Sequence, residues 1–179
     1  MGDGGQAAPG SPRKGAAASA RGAARLLAVQ ALYQIEIRGG TADATILEFL
    51  QHRTEQIDED DGERLRLEAD KALFADIVTG VTKSREELMA ALDGCLDAKT
   101  RAERLEPLLR SILMAGAYEL RSRSDIPARA SISEYMHLTD AFFDGREPGL
   151  VNAVLDRFGR VVREDELMQT EPAGHGGAD

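Results

Sequence analysis

The chain has no tryptophan, three tyrosines and five phenylalanines, so aromatic residues make up only 4% of it. Sheets draw on aromatic and β-branched residues, whereas the abundance here of Ala, Leu, Glu and Arg favours helix. Cys95 is the only cysteine. It cannot form an internal disulfide, and a reducing compartment is its natural setting. No apolar run approaches the ~18 residues of a membrane span, and the N-terminus has no apolar signal core. After Met1-Gly2 come Asp3, Gly4, Gly5 and Gln6, without the Ser or Thr of a myristoylation site. The sequence therefore reads as cytoplasmic. Basic residues are also in deficit: the net charge of -9 excludes indiscriminate nucleic-acid binding, because polyanions are repelled by an acidic surface. Any contact with RNA must be local.

Signatures of catalysis and metal binding are missing too. His52, His137 and His175 have no partner at ligand spacing, and Cys95 has no second thiol near it, which argues against zinc. The stretch Gly10-Ser11-Pro12-Arg13-Lys14-Gly15 is neither a P-loop nor a dinucleotide fingerprint. Asp58, Glu59, Asp60 and Asp61 lack the alternating ligands and terminal Glu of a calcium loop. With no nucleophile-base arrangement visible either, the chain reads as a non-enzyme without metal or cofactor.

What is present is helical periodicity. With 179 residues the chain suits one domain. Residues 1–20, rich in Gly, Ala, Pro and Ser, read as a flexible tail. From about Arg21 to Arg38, Leu26, Val29, Leu32, Tyr33 and Ile37 recur at three and four, and Gly39-Gly40 supplies a stop. Thr41 or Asp43 can cap a second helix carrying Ile46, Leu47, Phe49 and Leu50. The acidic segment from Glu55 to Glu63 reads as a solvated loop. A helix with Leu65, Leu73, Phe74, Ile77, Val78 and Val81 follows, kinked near Gly80 or split there, with Ser84 and Glu87 as a capping box. Pro107 opens the next helix, which Asp125-Ile126-Pro127 ends. Ser131 with Glu134 reads as another capping box, for a helix running to about Phe143, and the last helix runs from Leu150 to about Arg163. No alternating run suggests a strand. The expected fold is all-α: about seven helices in a single domain over residues 21–165, with an early bundle (about 21–98) packed on a late one (about 103–165), and residues 166–179 as a disordered tail.

Basic residues concentrate on selected elements. Arg13, Lys14, Arg21 and Arg25 precede or begin the first helix, whose N-terminal dipole and free N–H groups suit phosphate oxygens. Arg121, Arg123 and Arg129 bracket the Asp125-Ile126-Pro127 turn, and Arg146 lies in the last inter-helix connection.

Five segments in order resemble one family: Ala28-Val29-Gln30-Ala31-Leu32-Tyr33, Tyr118-Glu119-Leu120, Asp125-Ile126-Pro127, Ile132 with Glu134, and Val151-Asn152 with Val154-Leu155-Asp156. Together they are similar to the NusB family of transcription antitermination factors, over roughly Arg21 to Arg163. The resemblance implies a fold of two helical bundles that binds boxA RNA of ribosomal RNA leader transcripts together with NusE, a small-subunit ribosomal protein, and modifies RNA polymerase for antitermination. It maps RNA contacts onto Arg21 and Arg25, and onto Phe142, Arg146, Leu150 and Asn152, with Arg13 and Lys14 standing in for an arginine cluster that Gly22, Ala23 and Ala24 interrupt. Tyr33 is the candidate on the NusE side. Leu150 stands where the family often has an aromatic residue, Ser133 where it has asparagine, and Ala153 where it has glycine. Whether the chain also forms a homodimer is left open. The alternatives are a helical interaction module without an RNA role, and a stand-alone relative of the N-terminal domain of a ribosomal RNA cytosine methyltransferase.

Overall fold

A computed structural model describes residues 19–52, 55–56 and 67–168. Arg13, Lys14, the acidic run Asp58 to Asp61 and Leu65 lie outside these described residues. Eight α-helices account for most of the described residues: α1 (Ala20–Arg38), α2 (Ala42–His52), α3 (Lys71–Lys83), α4 (Arg85–Cys95), α5 (Pro107–Ser122), α6 (Ala128–Asp140), α7 (Glu147–Val162) and α8 (Glu164–Met168). A single 3-10 turn, Ala102–Arg104, precedes α5. The one departure from an all-α chain among the described residues is a two-residue antiparallel pair, Glu55–Gln56 with Leu67–Glu68, too short to carry the alternation by which strands are read.

Local chemistry sets most boundaries. Ser19 caps α1 by accepting the Gly22 N–H at 2.9 Å. The helix stops at Gly39, whose φ of 76° an L side chain rarely adopts, and whose N–H bonds the Ile35 carbonyl. Thr41 Oγ1 accepts the Ala44 N–H at the start of α2, and Asp70 accepts that of Leu73 at the start of α3. Pro107 occupies the first turn of α5, with the Glu106 carboxylate accepting the Leu109 N–H.

The two expected capping boxes are not formed. Ser84 does separate α3 from α4, but its hydroxyl donates back to the Gly80 carbonyl at 2.7 Å and caps nothing. Ser131 lies one turn inside α6, because that helix begins at Ala128 directly after Pro127. The N-terminus of α6 is capped instead from 38 residues away, by Glu166 Oε1 accepting the Ala128 N–H at 2.6 Å. The expected tail from residue 166 is therefore corrected: α8 extends through Met168, and Leu167 within it is buried.

α5 is buried without a break from Leu108 to Ala117, as a helix must be when it has neighbours on every side. It packs against α1, α3, α4, α6 and α7. α1 to α3 form the early bundle. The sequence grouped α4 with them, but its main partners are α5 and α7, so the boundary between the bundles falls near Ser84. Ile37 and Leu47, counted on inner faces from their spacing, are 55% and 56% exposed, since helical period locates a stripe but not where the neighbouring helix stops covering it.

α3 and α5 approach closely at Gly80. A Cβ there would lie 2.0 Å from Tyr118 Cζ, and the Tyr118 hydroxyl donates to Asp76 Oδ1 at 2.9 Å, tying α3 to α5. Gly80→Ala should therefore destabilise the protein by about 1–3 kcal/mol through overpacking, although alanine is the better helix former. Gly94→Ala, at an exposed helical site with nothing within 4 Å of the added carbon, should instead stabilise it by roughly 0.5–1 kcal/mol. Urea unfolding followed by circular dichroism checks both signs.

Candidate nucleic-acid interface

Of the basic residues on α1, Arg25 has the more surprising placement. Its side chain is only 4% exposed, and its guanidinium grips the Glu119 carboxylate of α5, with Nη2 to Oε1 at 2.7 Å and Nε to Oε2 at 3.0 Å. The same carboxylate accepts Ser131 Oγ at 2.7 Å and the Tyr135 hydroxyl at 3.0 Å, both from α6. Arg25 Nη1 reaches Glu134 Oε2 at 3.4 Å. Burial by itself lowers the arginine pKa, but the hydrogen bond and charge of Glu119 outweigh it and hold the guanidinium above its ordinary value. Burial, with the Glu119 charge, pushes the Tyr135 hydroxyl well up, so it stays protonated and donates. The expectation that Arg25 contacts RNA is thereby corrected: its donors are committed inside the domain. The signal for this was present, since Glu119 is a carboxylate inside an apolar helical run, where an acid survives only with a partner.

Arg21, one turn earlier, is exposed. Three helix N-termini meet around it. The Asp70 N–H before α3 donates to the Ala20 carbonyl at 2.9 Å, which sets the starts of α1 and α3 side by side. The turn leading into α6 brings Asp125 close enough for its carboxyl to feel the Arg21 charge. That turn is latched by Arg123, which pairs with both Asp125 oxygens at 2.8 and 3.0 Å and with Asp76 Oδ2 at 3.1 Å. The Arg123 hydrogen bonds draw the Asp125 carboxyl down to about 2. Exposed Lys71 and Arg129 begin α3 and α6, so the pole carries Arg21, Lys71 and Arg129 beside three positive dipole ends. Lys71 was not singled out from sequence, because the chain between it and Arg21 gives no hint that they meet. Arg121, the remaining basic residue of the turn, pairs with Glu87 at 3.2 Å.

Phe142 and Arg146 lie in the α6–α7 connection and Leu150 and Asn152 in the first two turns of α7, at the opposite end of α6. α6 and α7 run antiparallel, so their connection lies a helix length from Asp125; 13 residues at 1.5 Å make that about 20 Å. Phe142 and Leu150 are half-buried against the core, while Arg146 and Asn152 are exposed. Arg146 sits among Asp140, Asp144 and Glu147, so this second patch is less basic than the α1 pole. Tyr33 lies two turns beyond Arg25 on α1, half-buried, with exposed Ile37 one turn further on.

No group of three His, Cys, Asp or Glu able to hold a metal occurs among the described residues. No described helix is long and apolar enough to cross a membrane.

Fold and site define an all-helical protein of two bundles sharing a central helix, with cationic side chains gathered at one pole. The NusB family model matches residues 22–160, and the chain belongs to that family. It is 44% identical over 150 residues to the transcription antitermination protein NusB of Bradyrhizobium diazoefficiens, covering 84% of this chain and 89% of that one. It is 45% identical over 148 residues to that of Maricaulis maris, covering 82% and 90%. The T. maritima NusB structure superposes with a TM-score of 0.65 at 22% identity, covering 82% of this chain and 94% of that one, which supports the fold.

Glu119→Leu should cost about 3–5 kcal/mol, because it removes the buried partner of Arg25 and leaves the guanidinium only the half-exposed Glu134 at 3.4 Å. The double variant Arg25→Met with Glu119→Leu should be more stable than Glu119→Leu alone. Urea midpoints of the three proteins provide the test; a double variant no better than the single would show that the pair is not coupled.

Proposed function

We propose that the protein is an RNA-binding antitermination factor, which with NusE binds boxA RNA of ribosomal RNA leader transcripts and helps convert RNA polymerase to a termination-resistant form. The observation that carries the reading is the pole where α1, α3 and α6 begin, with Arg21, Lys71 and Arg129 around it, in a member of a family whose named relatives are antitermination proteins. Phosphate contacts belong there, supplied by Arg21 and by the preceding Arg13 and Lys14, because cations beside helix N-termini favour anions. Arg25 serves by fixing α1. The second patch, Phe142, Arg146, Leu150 and Asn152, offers one cation, two half-buried apolar side chains and one amide, a composition suited to a base and its phosphate rather than to a run of phosphates. The partner surface is the flank of α1 at Tyr33, extended by Ile37.

A net charge of -9 gives this reading a quantitative consequence. Few phosphates are neutralised by the protein alone, so affinity for labelled boxA RNA should rise at least about tenfold when NusE is added, with a correspondingly steeper salt dependence. Arg21→Ala should weaken RNA binding about three- to tenfold without moving the thermal melt, since a rim cation contributes charge and no packing. Fluorescence anisotropy with and without NusE measures both. Equal affinity in the two titrations would remove the ribosomal protein from the reading, and an unaffected Arg21→Ala variant would move the RNA site away from this pole.

A further inference from the structure

We infer that α8 is an acidic intramolecular strap that lies over the start of α6 and holds down the protein's affinity for RNA at the Arg21 pole. The inference rests on the proposed RNA-binding role of that pole.

The strap is short and specifically tied. After one linking residue the chain turns back from α7, and Glu166 Oε1 accepts the Ala128 N–H at 2.6 Å. Arg163 donates to the Ile126 carbonyl at 2.8 Å and pairs with Glu166. Arg129 Nη2 lies 3.5 Å from the Leu167 carbonyl. Leu167 is the single buried residue of α8, and it fills the notch left by Gly159, where a Cβ would stand 2.8 Å from its Cδ1. Glu164, Asp165, Glu166 and Met168 are exposed. One apolar anchor and a few part-buried polar bonds, on a helix of five residues, make a segment that opens below the free energy of global unfolding.

Its charge bears on the site. Glu164, Asp165 and Glu166 are three successive carboxylates, of which Glu166 pairs with Arg163. Glu166 occupies the anion position at the α6 N-terminus, the one a phosphate would favour. Two of the basic groups near the pole, Arg129 and Arg163, are engaged by the strap. Capping Ala128 requires one acceptor, so the other two acids are not needed to hold the turn, and as exposed charges they add little stability. Their field, within about a Debye length of the Ala128 end of α6, opposes an approaching phosphate backbone. Strap and RNA thus compete for one electropositive pole, and release of α8 opens it.

Two variants and two readouts test this on the full chain. Glu164→Gln with Asp165→Asn and Glu166→Gln removes the charge while leaving a side-chain oxygen to accept the Ala128 N–H. Leu167→Ala loosens the anchor while keeping the charge. Both should bind the labelled leader RNA more tightly, the neutralised form by about three- to tenfold near 50 mM salt and by less than about twofold near 0.5 M. In Leu167→Ala, hydrogen exchange at the Ala128 amide should speed up. If the wild type binds RNA through Arg21 and neither variant binds more tightly, the strap inference fails and the RNA reading stands. If Leu167→Ala speeds Ala128 exchange yet binds more weakly, the strap supports the site and the inference is overturned. If no form binds RNA, both readings fall; if only the released forms bind, the strap is confirmed at its strongest.

Discussion

The buried pair between Arg25 and Glu119 is the constraint on which the rest of the arrangement depends. Both Glu119 oxygens are used by three side chains from two helices, so α1, α5 and α6 meet at one carboxylate. Desolvating two charges is expensive, and a pair of this kind is a better guarantee of arrangement than of stability. Apolar packing would tolerate a small rotation or slide of α1 along α5; an ion pair with every acceptor filled does not. The exposed Arg21, one turn before the anchor, inherits that fixed position.

A second anchor lies toward the other end of the same helix pair. Arg110 near the start of α5 pairs with Glu36 near the end of α1, and its Nη1 donates to the carbonyls of Glu103 at 2.6 Å and Leu105 at 3.1 Å. Burial lowers the Arg110 pKa, yet the group stays charged far above neutrality, so it holds both the helix and the turn before α5. Two ion pairs, the buried Arg25 with Glu119 and the part-buried Glu36 with Arg110, thus set the antiparallel register of α1 and α5. Between and beyond them α1 is free to present Tyr33 and Ile37. Arg85 stands 3.6 Å from Glu36, bringing the start of α4 to the same junction.

Much of the helical order was legible because it depends on neighbours in sequence. Gly39-Gly40, Thr41, Pro107 and the Asp125-Ile126-Pro127 turn act over one to four residues, and each ends or begins an element as its chemistry requires. Ser84 and Ser131 misled for a physical reason. A serine three residues before a glutamate caps a helix only if it has non-helical backbone geometry and its hydroxyl is not drawn elsewhere, and here the Gly80 carbonyl and the Glu119 carboxylate take those hydroxyls. α8 was missed since a five-residue helix has no period to read and owes its existence to Leu167 docking beside Gly159.

The candidate site was half legible. Arg21 and the group Phe142, Arg146, Leu150 and Asn152 stand where a ligand can meet them at least in part, whereas Arg25, equally basic and one turn away, is internal. By itself the sequence determined an acidic, helical chain of the NusB family, its turns, and the apolar stripes that must be buried, because these follow from periodicity, charge and steric rules within a few residues. Only the tertiary structure decided that Arg25 is an anchor, that Lys71 and Arg129 stand with Arg21 at one pole, that the second patch lies a helix length away, and that Glu166 caps α6. The physical reason is one of range: burial and ion pairing are properties of groups that meet across the fold, and the 94 residues separating Arg25 from Glu119 give no local sign of the contact.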